Sequence, residues 1–424
     1  MKKQLFLAAL SAFLLFPQSA FGAASLTGDG SASSPWQIGN QQELQQALDN
    51  ISDTGGSGEY FLITDDIHLS TPLKVDVLSF EGFLDGGGNT IYNLESVTTN
   101  TSGGTGDEAK RSIFDENHGT IQNLTLQASS SYRGSSSNLH SLLVNSNWGT
   151  IENCSVFGNL TLGSLNGNFG MLAGVSHGSI KNCSVSGQIT VTSLYSGFSG
   201  YVGGIAGGNA GTISNCRSSV NVKADYNVSA KSASNFFAGG IAGRNARNDD
   251  EGLLGLIENC QADTFILITA DAPSSWSPYN TPAPTIGAGG ITGLNAASCT
   301  VTGCTVSGSL LASSYFPPKE MSLNGISGSA LGIESANTNN IGSDAVSGTS
   351  GEASTDALSA TPIQNLAPDG RPNCIICGNS GWVDCYICHG SGEAITGNFL
   401  ENWVGKDTCG YCHGAGKKRC VCGR

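Results

Sequence analysis

The sequence predicts an all-β protein: a parallel β-helix, or β-solenoid, of about seven repeats, followed by a small cysteine-rich module. Three observations carry this. A glycine–asparagine phrase recurs through the middle of the chain, charged residues make up only 12% of 424, and cysteines crowd the C-terminus as four close pairs. So little charge, beside abundant Gly, Ser, Thr and Asn, is far from the Ala/Glu/Lys/Leu-rich profile of a helical chain.

Residues 1–22 read as a secretory signal. Lys2 and Lys3 precede an apolar run from Leu5 to Phe16, and Ala20-Phe21-Gly22 forms a small-x-small cleavage site. The run is too short to span a bilayer, and no twin arginine precedes it, so general export is expected. Nothing later is long and apolar enough for a membrane helix, which predicts a soluble periplasmic, cell-surface or extracellular protein. Cleavage removes two lysines and takes the formal charge from −14 to −16. Such acidity argues against nucleic acid and anionic lipid as partners.

Residues 23–334 hold the repeat. Aligned segments read Gly88-Asn89-Thr90-Ile91-Tyr92-Asn93-Leu94, Gly119-Thr120-Ile121-Gln122-Asn123-Leu124, Gly149-Thr150-Ile151-Glu152-Asn153-Cys154, Gly178-Ser179-Ile180-Lys181-Asn182-Cys183 and Gly211-Thr212-Ile213-Ser214-Asn215-Cys216. Ile257-Glu258-Asn259-Cys260 and Val301-Thr302-Gly303-Cys304 are degenerate copies. A second glycine phrase precedes several of them, as in Gly203-Gly204-Ile205-Ala206-Gly207 and Gly239-Gly240-Ile241-Ala242-Gly243. After each asparagine, apolar and polar residues alternate, which marks a strand with one buried face. No repeat can bury that face alone, so the coils must stack. Each asparagine is expected to form a corner in the left-handed backbone region and to bond the neighbouring coil through its amide. Cys154, Cys183, Cys216 and Cys260 are expected to line the core as small apolar groups, while for Cys299 and Cys304 the sequence leaves open a pairing across a local turn.

This pattern resembles the GLUG-motif repeat of secreted and surface bacterial proteins, among them adhesins and IgA-specific metallopeptidases. The opening stretch fits as well: Trp36-Gln37-Ile38, Glu43-Leu44, Tyr60 to Ile67 and Phe80 to Gly88. The resemblance implies architecture rather than activity. No His-Glu-x-x-His occurs, so the peptidase chemistry of some such proteins does not transfer.

Residues 335–372 are rich in Ser, Gly, Ala, Thr and Asn and read as a linker. Residues 373–424 carry Cys374/Cys377, Cys385/Cys388, Cys409/Cys412 and Cys420/Cys422, with intervals of 8, 21 and 8 residues between pairs. Nested folding of that palindrome joins the outer pairs and the inner pairs. It thus offers two closed four-thiolate sites of the kind Zn²⁺ favours: Cys374, Cys377, Cys420 and Cys422 in one, Cys385, Cys388, Cys409 and Cys412 in the other. Two further chemistries suit the same residues. Disulfides form readily after export, and Cys385/Cys388/His389 and Cys409/Cys412/His413 both satisfy the c-type haem spacing. The second and third pairs resemble the C-x-x-C-x-G-x-G repeat of the DnaJ-type cysteine-rich zinc domain. The first pair displaces one glycine, and the last keeps only Cys-Val-Cys-Gly. No His-Pro-Asp tripeptide is present, so the resemblance implies a metal scaffold and a protein-binding role without an Hsp70 partnership.

Catalytic candidates are few. Asp65 and Asp66 fall in the opening strand and read as structural. Asp249, Asp250 and Glu251 form an acidic insertion, solvated or a weak Ca²⁺ site. His177 stands in the turn where other repeats carry Asn-x-Gly. Tyr132, Tyr195, Phe198 and Tyr201 cluster in loops near the fourth and fifth copies, either as a surface for sugar or peptide or as packing beneath those loops. The expected function is non-enzymatic: a secreted or surface binding protein that takes a protein or glycan ligand. The competing readings are a periplasmic redox or chaperone-like factor acting through its C-x-x-C pairs and a β-helix carbohydrate enzyme.

Overall fold

The computed structural model describes residues 26–75, 78–97, 112–130, 133–134, 140–163, 165, 167–192, 199–227, 235–271, 285–314, 320–331, 333–341 and 346–350, with four short tail strands: Trp382–Asp384, Glu393–Asn398, Trp403–Thr408 and Lys417–Arg419. The body is a stack of parallel strands, as the repeat requires. Four sheets run along it. Sheet A contains Thr120–Gln122, Thr150–Glu152, Ser179–Lys181 and Thr212–Ser214 among its ten strands. Sheet B holds the longer strands, such as Ser155–Leu162 and Ser184–Val191. Sheet C contains Val144–Asn147, Ala173–Ser176, Ala206–Asn209, Ala242–Asn245 and Thr292–Asn295. Sheet D begins with Gly167–Gly170 and continues through Gly200–Gly203, Phe236–Gly239 and Thr285–Gly289. A full coil visits D, C, A and B in that order.

Register is strict. Thr150, Ile151 and Glu152 pair with Ser179, Ile180 and Lys181, and these with Thr212, Ile213 and Ser214. Identical positions therefore superpose, and Ile121, Ile151, Ile180, Ile213, Ile257 and Val301 form one fully buried column. The expected corners are present. Asn123, Asn153, Asn182, Asn215 and Asn259 have φ between 53° and 55°, and Gly303 takes the seventh corner at 64°. Asparagine tolerates this region because its short amide bonds locally, whereas most side chains clash there. Asn153 Nδ2 donates to Asn123 Oδ1 at 3.2 Å, and Asn123 Nδ2 to Asp85 Oδ1 at 3.0 Å, so some corners bond coil to coil.

The first copy is a correction. Thr90–Leu94 belongs to sheet B, where Thr90 pairs with Thr125 and Ile91 with Leu126. The true partner of Thr120–Gln122 is Phe83–Asp85. In that coil the corner is glycine, with Gly87 at φ 60° and Gly88 at 79°. The Thr-Ile-x-Asn phrase alternates in and out equally well on either sheet, so period-two patterning does not separate them.

The second glycine phrase holds sheets C and D together. A Cβ on Gly207 would fall on the amide nitrogen of Phe169, and one on Gly243 would lie 2.6 Å from the carbonyl carbon of Tyr201. Each sheet-C strand thus lies on the sheet-D strand of the preceding coil, backbone to backbone.

Cys154, Cys183, Cys216, Cys260 and Cys304 stack in the core, all buried and free. Cys299 is also free, so the pairing with Cys304 that the sequence left open does not occur. A single helix among the described residues, α1 (Gln41–Thr54), packs on the first strands of sheets A and C. Asn40 Oδ1 caps it through Gln42 and Glu43 N, Glu43 Oε2 accepts from Gly39 N, and Leu44, Ala47, Leu48 and Ile51 face the core. Past residue 334, Thr338–Asn339 and Val346–Ser350 pair with the sheet-B strand Thr305–Ser314, so pairing extends into the stretch read as linker. No helix among the described residues is long and apolar enough to cross a membrane.

Candidate functional site

The outward residues of sheets C and D, in the middle coils, form the richest side-chain assembly among the described residues. On sheet D, Asn168, Tyr201, Phe237 and Gly287 occupy one register column. The Tyr201 and Phe237 rings stack at 5.4 Å with 10° between planes, an arrangement worth about 0.5–1.5 kcal/mol. On sheet C the adjoining outward column reads Val175, Gly208, Arg244 and Leu294. Gly208 leaves a gap there, and Arg244 folds back across it. Arg244 Nε donates to Asn168 Oδ1 at 3.0 Å, and its Cζ sits 4.6 Å from the Tyr201 ring centroid. A Cβ on Gly208 would come within 3.0 Å of Asn168 Oδ1 and 3.3 Å of Arg244 Nε.

Beside this lies a second aromatic column, at the turn from sheet C to sheet A. Trp148 stacks on His177 at 4.0 Å and stands 6.4 Å from His118, near-parallel to both. Trp148 is 37% exposed. Asn248, from the antiparallel hairpin Arg247–Asn248 and Leu253–Leu254, reaches His177 Nδ1 at 3.4 Å. Burial, then the Arg244 charge, hold His177 below the usual imidazole range, with Glu251 acting in the opposite sense. The imidazole is therefore neutral near pH 7 and Arg244 is within its electrostatic reach.

A buried column of asparagines underlies these turns. Asn117 Nδ2 donates to Asn147 Oδ1 at 2.7 Å, Asn209 Nδ2 to Asn245 Oδ1 at 2.8 Å, and Asn245 Nδ2 to Asn295 Oδ1 at 3.0 Å. The same amides cap backbone carbonyls, as Asn245 does at Gly255 and Thr300. Ser176 interrupts the column, and Asn209 Oδ1 above it has no partner.

Of the sequence candidates, Tyr201 lies in the described structure and packs against Phe237 and Arg244. Tyr132, Tyr195 and Phe198 lie outside the described residues, as do all eight tail cysteines, His389 and His413. Asp66 Oδ1 accepts from Thr90 N at 2.8 Å, in keeping with a structural role. Asp249 pairs with Arg247, and no cluster of three or more His, Cys, Asp or Glu suited to a metal occurs among the described residues. Sequence reasoning missed Arg244 and Trp148. For Trp148 the signal was available: His118, Trp148 and His177 occupy the same place in three successive turns.

The tail strands are antiparallel in two ladders. Trp382 pairs with Arg419 and Asp384 with Lys417, while Glu393 pairs with Thr408 and Asn398 with Trp403.

Comparison with known families matches the GLUG motif at residues 198–223. That stretch holds the Gly203–Gly207 phrase, the inner Asn209 and the corner Asn215, so the motif spells the two turns and the corner of a single coil. Comparison with curated proteins finds no match. Among solved structures, a Bacteroides ovatus protein provisionally named an immunoglobulin A1 protease is similar, with 19% identity and a TM-score of 0.39 over 75% of this chain and 86% of that one. Likeness at that level transfers no activity.

Proposed function

We propose that this chain is a secreted or cell-surface binding protein without catalytic activity, in which a GLUG-type solenoid presents ligand-contacting side chains and a zinc-stapled tail contacts protein. The observation that carries the reading is the Arg244–Tyr201–Asn168 assembly beside Trp148, a fixed, half-exposed set of aromatic and hydrogen-bonding groups on a rigid stack. Binding residues of this kind are the ones that aromatic- and arginine-centred recognition uses. The GLUG match supports an extracellular setting.

Zinc at the tail fits the register of its strands. In the Trp382–Asp384 and Lys417–Arg419 ladder, residue 382, which follows the first cysteine pair, and residue 419, which precedes the last, share one end. The inner ladder, from Glu393 to Thr408, closes the segment between the second and third pairs. Nested ligation requires that order: Cys374, Cys377, Cys420 and Cys422 for one ion, and Cys385, Cys388, Cys409 and Cys412 for the other. Bound zinc would staple a segment too short for a core of its own.

Metal analysis with intact mass, joined to glycan- and protein-array binding, tests the reading. Two zinc ions per chain, eight protected thiols and saturable binding without turnover are expected. A haem-sized mass increment or a readily cycled disulfide would replace the zinc reading. Cleavage of a polysaccharide or of immunoglobulin would replace the non-enzymatic one.

A further inference from the structure

Arg244 is held as a ligand-binding arginine is held. Asn168 occupies its Nε–H, and its Cζ lies over the Tyr201 ring. Among the described residues no carboxylate pairs with it and no acceptor takes its Nη groups. The chain carries 33 acidic and 19 basic residues, so carboxylate partners were abundant in composition. A planar fork immobilised by one hydrogen bond and one ring, with two donor groups left over, is preorganised for a bidentate anion.

We propose that this seat binds a carboxylated sugar, its acid group on the Arg244 Nη donors and its ring against the neighbouring aromatic side chains. This deepens the binding-protein reading and rests on it. The backbone here favours a glycan over a peptide. Peptides are commonly captured by strand addition to a free sheet edge, but the sheet-D strand Gly200–Gly203 is already paired on both sides, to Gly167–Gly170 and Phe236–Gly239. Recognition must come from side chains. Those present are the part-exposed Tyr201, backed by the buried Phe237 ring, the part-exposed Asn168, and the Trp148–His177 column on the adjoining turn, a mixture of ring surfaces and hydrogen-bonding groups suited to a hydroxylated pyranose. Gly208 supplies the clearance, since any side chain there would occupy the place of the Arg244 Nε–Asn168 contact.

Calorimetry on the purified full-length protein tests this with four probes: sialyllactose, trigalacturonate, neutral lactose and a glutamate-rich peptide. The two acidic sugars are expected to bind about tenfold or more tightly than lactose. Arg244→Met should erase that preference, and Arg244→Lys should recover only part of it, because an ammonium does not match the carboxylate fork. Asn168→Ala, which frees the guanidinium without removing it, should weaken the acidic sugars alone, and it serves as the readout if Arg244→Met fails to keep the wild-type β-type circular dichroism. Equal binding of acidic and neutral sugars, unchanged affinity in a folded Arg244→Met, or preference for the peptide would each overturn the proposal while leaving the binding-protein reading intact. A wild-type protein that binds nothing on glycan or protein arrays would overturn both.

Discussion

The indole of Trp148 and the imidazole of His177 lie 4.0 Å apart and 13° from parallel, although 29 residues separate them. Pairing of Asn147 with Ser176 places the following residue of each turn in one stack. A neutral imidazole suits this seat, since burial and then Arg244 oppose its protonation, against a lesser pull from Glu251. In the unfolded chain the histidine titrates near about 6.5, so the unfolded state takes up the proton first as pH falls. The stability His177 supports is therefore intact above about pH 6.5 and is lost as pH drops through that value toward the folded-state pKa. The melting temperature should fall more between about pH 7 and about pH 5 in the wild type than in His177→Gln. Trp148 emission, taken as the difference from Trp148→Phe, should be quenched in the same acidic window. A quenching midpoint above that of free histidine would contradict the assignment.

Two asparagine columns run along the stack, and substitution should separate them. At the corner, Asn153 serves chiefly by accepting a φ of 54°, a task glycine performs at Gly303. Asn153→Gly should change stability by no more than about 0.5 kcal/mol, whereas Asn153→Val should cost about 1–2 kcal/mol. The inner Asn245 is fully buried and its amide serves Gly255, Asn295 and Thr300. Asn245→Ala strands those carbonyls and should cost about 2–3 kcal/mol in urea unfolding. Equal losses at the two sites would mean that the inner amides carry no special load.

The same column has a gap that a substitution should close. Ser176 accepts from Asn147 Nδ2 at 3.1 Å but leaves Asn209 Oδ1 without a donor. Ser176→Asn would supply one in the geometry its neighbours already use, and a gain of about 1 kcal/mol is expected in the same assay. Loss of stability would show that this coil is too tight for the longer side chain.

How far the sequence carries can be judged at particular residues. Stacking, the corners at Asn123 to Asn259 and the buried thiols were legible because each is written in a repeated local pattern whose physics is local too. The first copy misled, since Asn93 shares both the phrase and the positive φ of 57° yet sits in another sheet, and alternation does not encode which sheet a strand joins. Helix α1 was not legible in an all-β pattern although Asn40 and Glu43 form a capping pair, because one short helix leaves little mark on the composition of a strand-rich chain. Arg244 was invisible for a different reason. Its role depends on Asn168, Tyr201 and Gly208, which lie 76, 43 and 36 residues away, and only the pitch of the coils brings them together.

The thiol column makes a prediction about accessibility. Cys154, Cys183, Cys216, Cys260 and Cys304 are all buried, and shared Sγ hydrogen bonds raise Cys183 and Cys260 while drawing Cys216 down between them. Reactivity requires an exposed thiolate, so exclusion from water decides the outcome whatever the proton distribution. Iodoacetamide should leave all five unlabelled in the native protein and modify them in urea, as read by peptide mass mapping. Cys216→Ala should cost about 1–2 kcal/mol through the void it leaves. Rapid native labelling at Cys216 would show that the stack opens there.

Gly207 and Gly208 are adjacent and should respond oppositely to alanine. A Cβ at Gly207 would land on the backbone of Phe169, in the contact between sheets C and D, where no rotamer offers relief. Gly207→Ala must push the sheets apart and should abolish folding or cost more than about 3 kcal/mol. At Gly208 the nearest atoms are the side-chain ends Asn168 Oδ1 at 3.0 Å and Arg244 Nε at 3.3 Å, both able to move. Gly208→Ala should keep the β-type spectrum and lower the melting temperature only slightly, while loosening the Arg244–Asn168 contact. Paired measurement of melting and of acidic-sugar affinity therefore separates the glycine that builds the coil from the glycine that makes room for the arginine. If Gly208→Ala melts as early as Gly207→Ala, the gap under Arg244 belongs to the packing of the sheets rather than to the seat of a ligand.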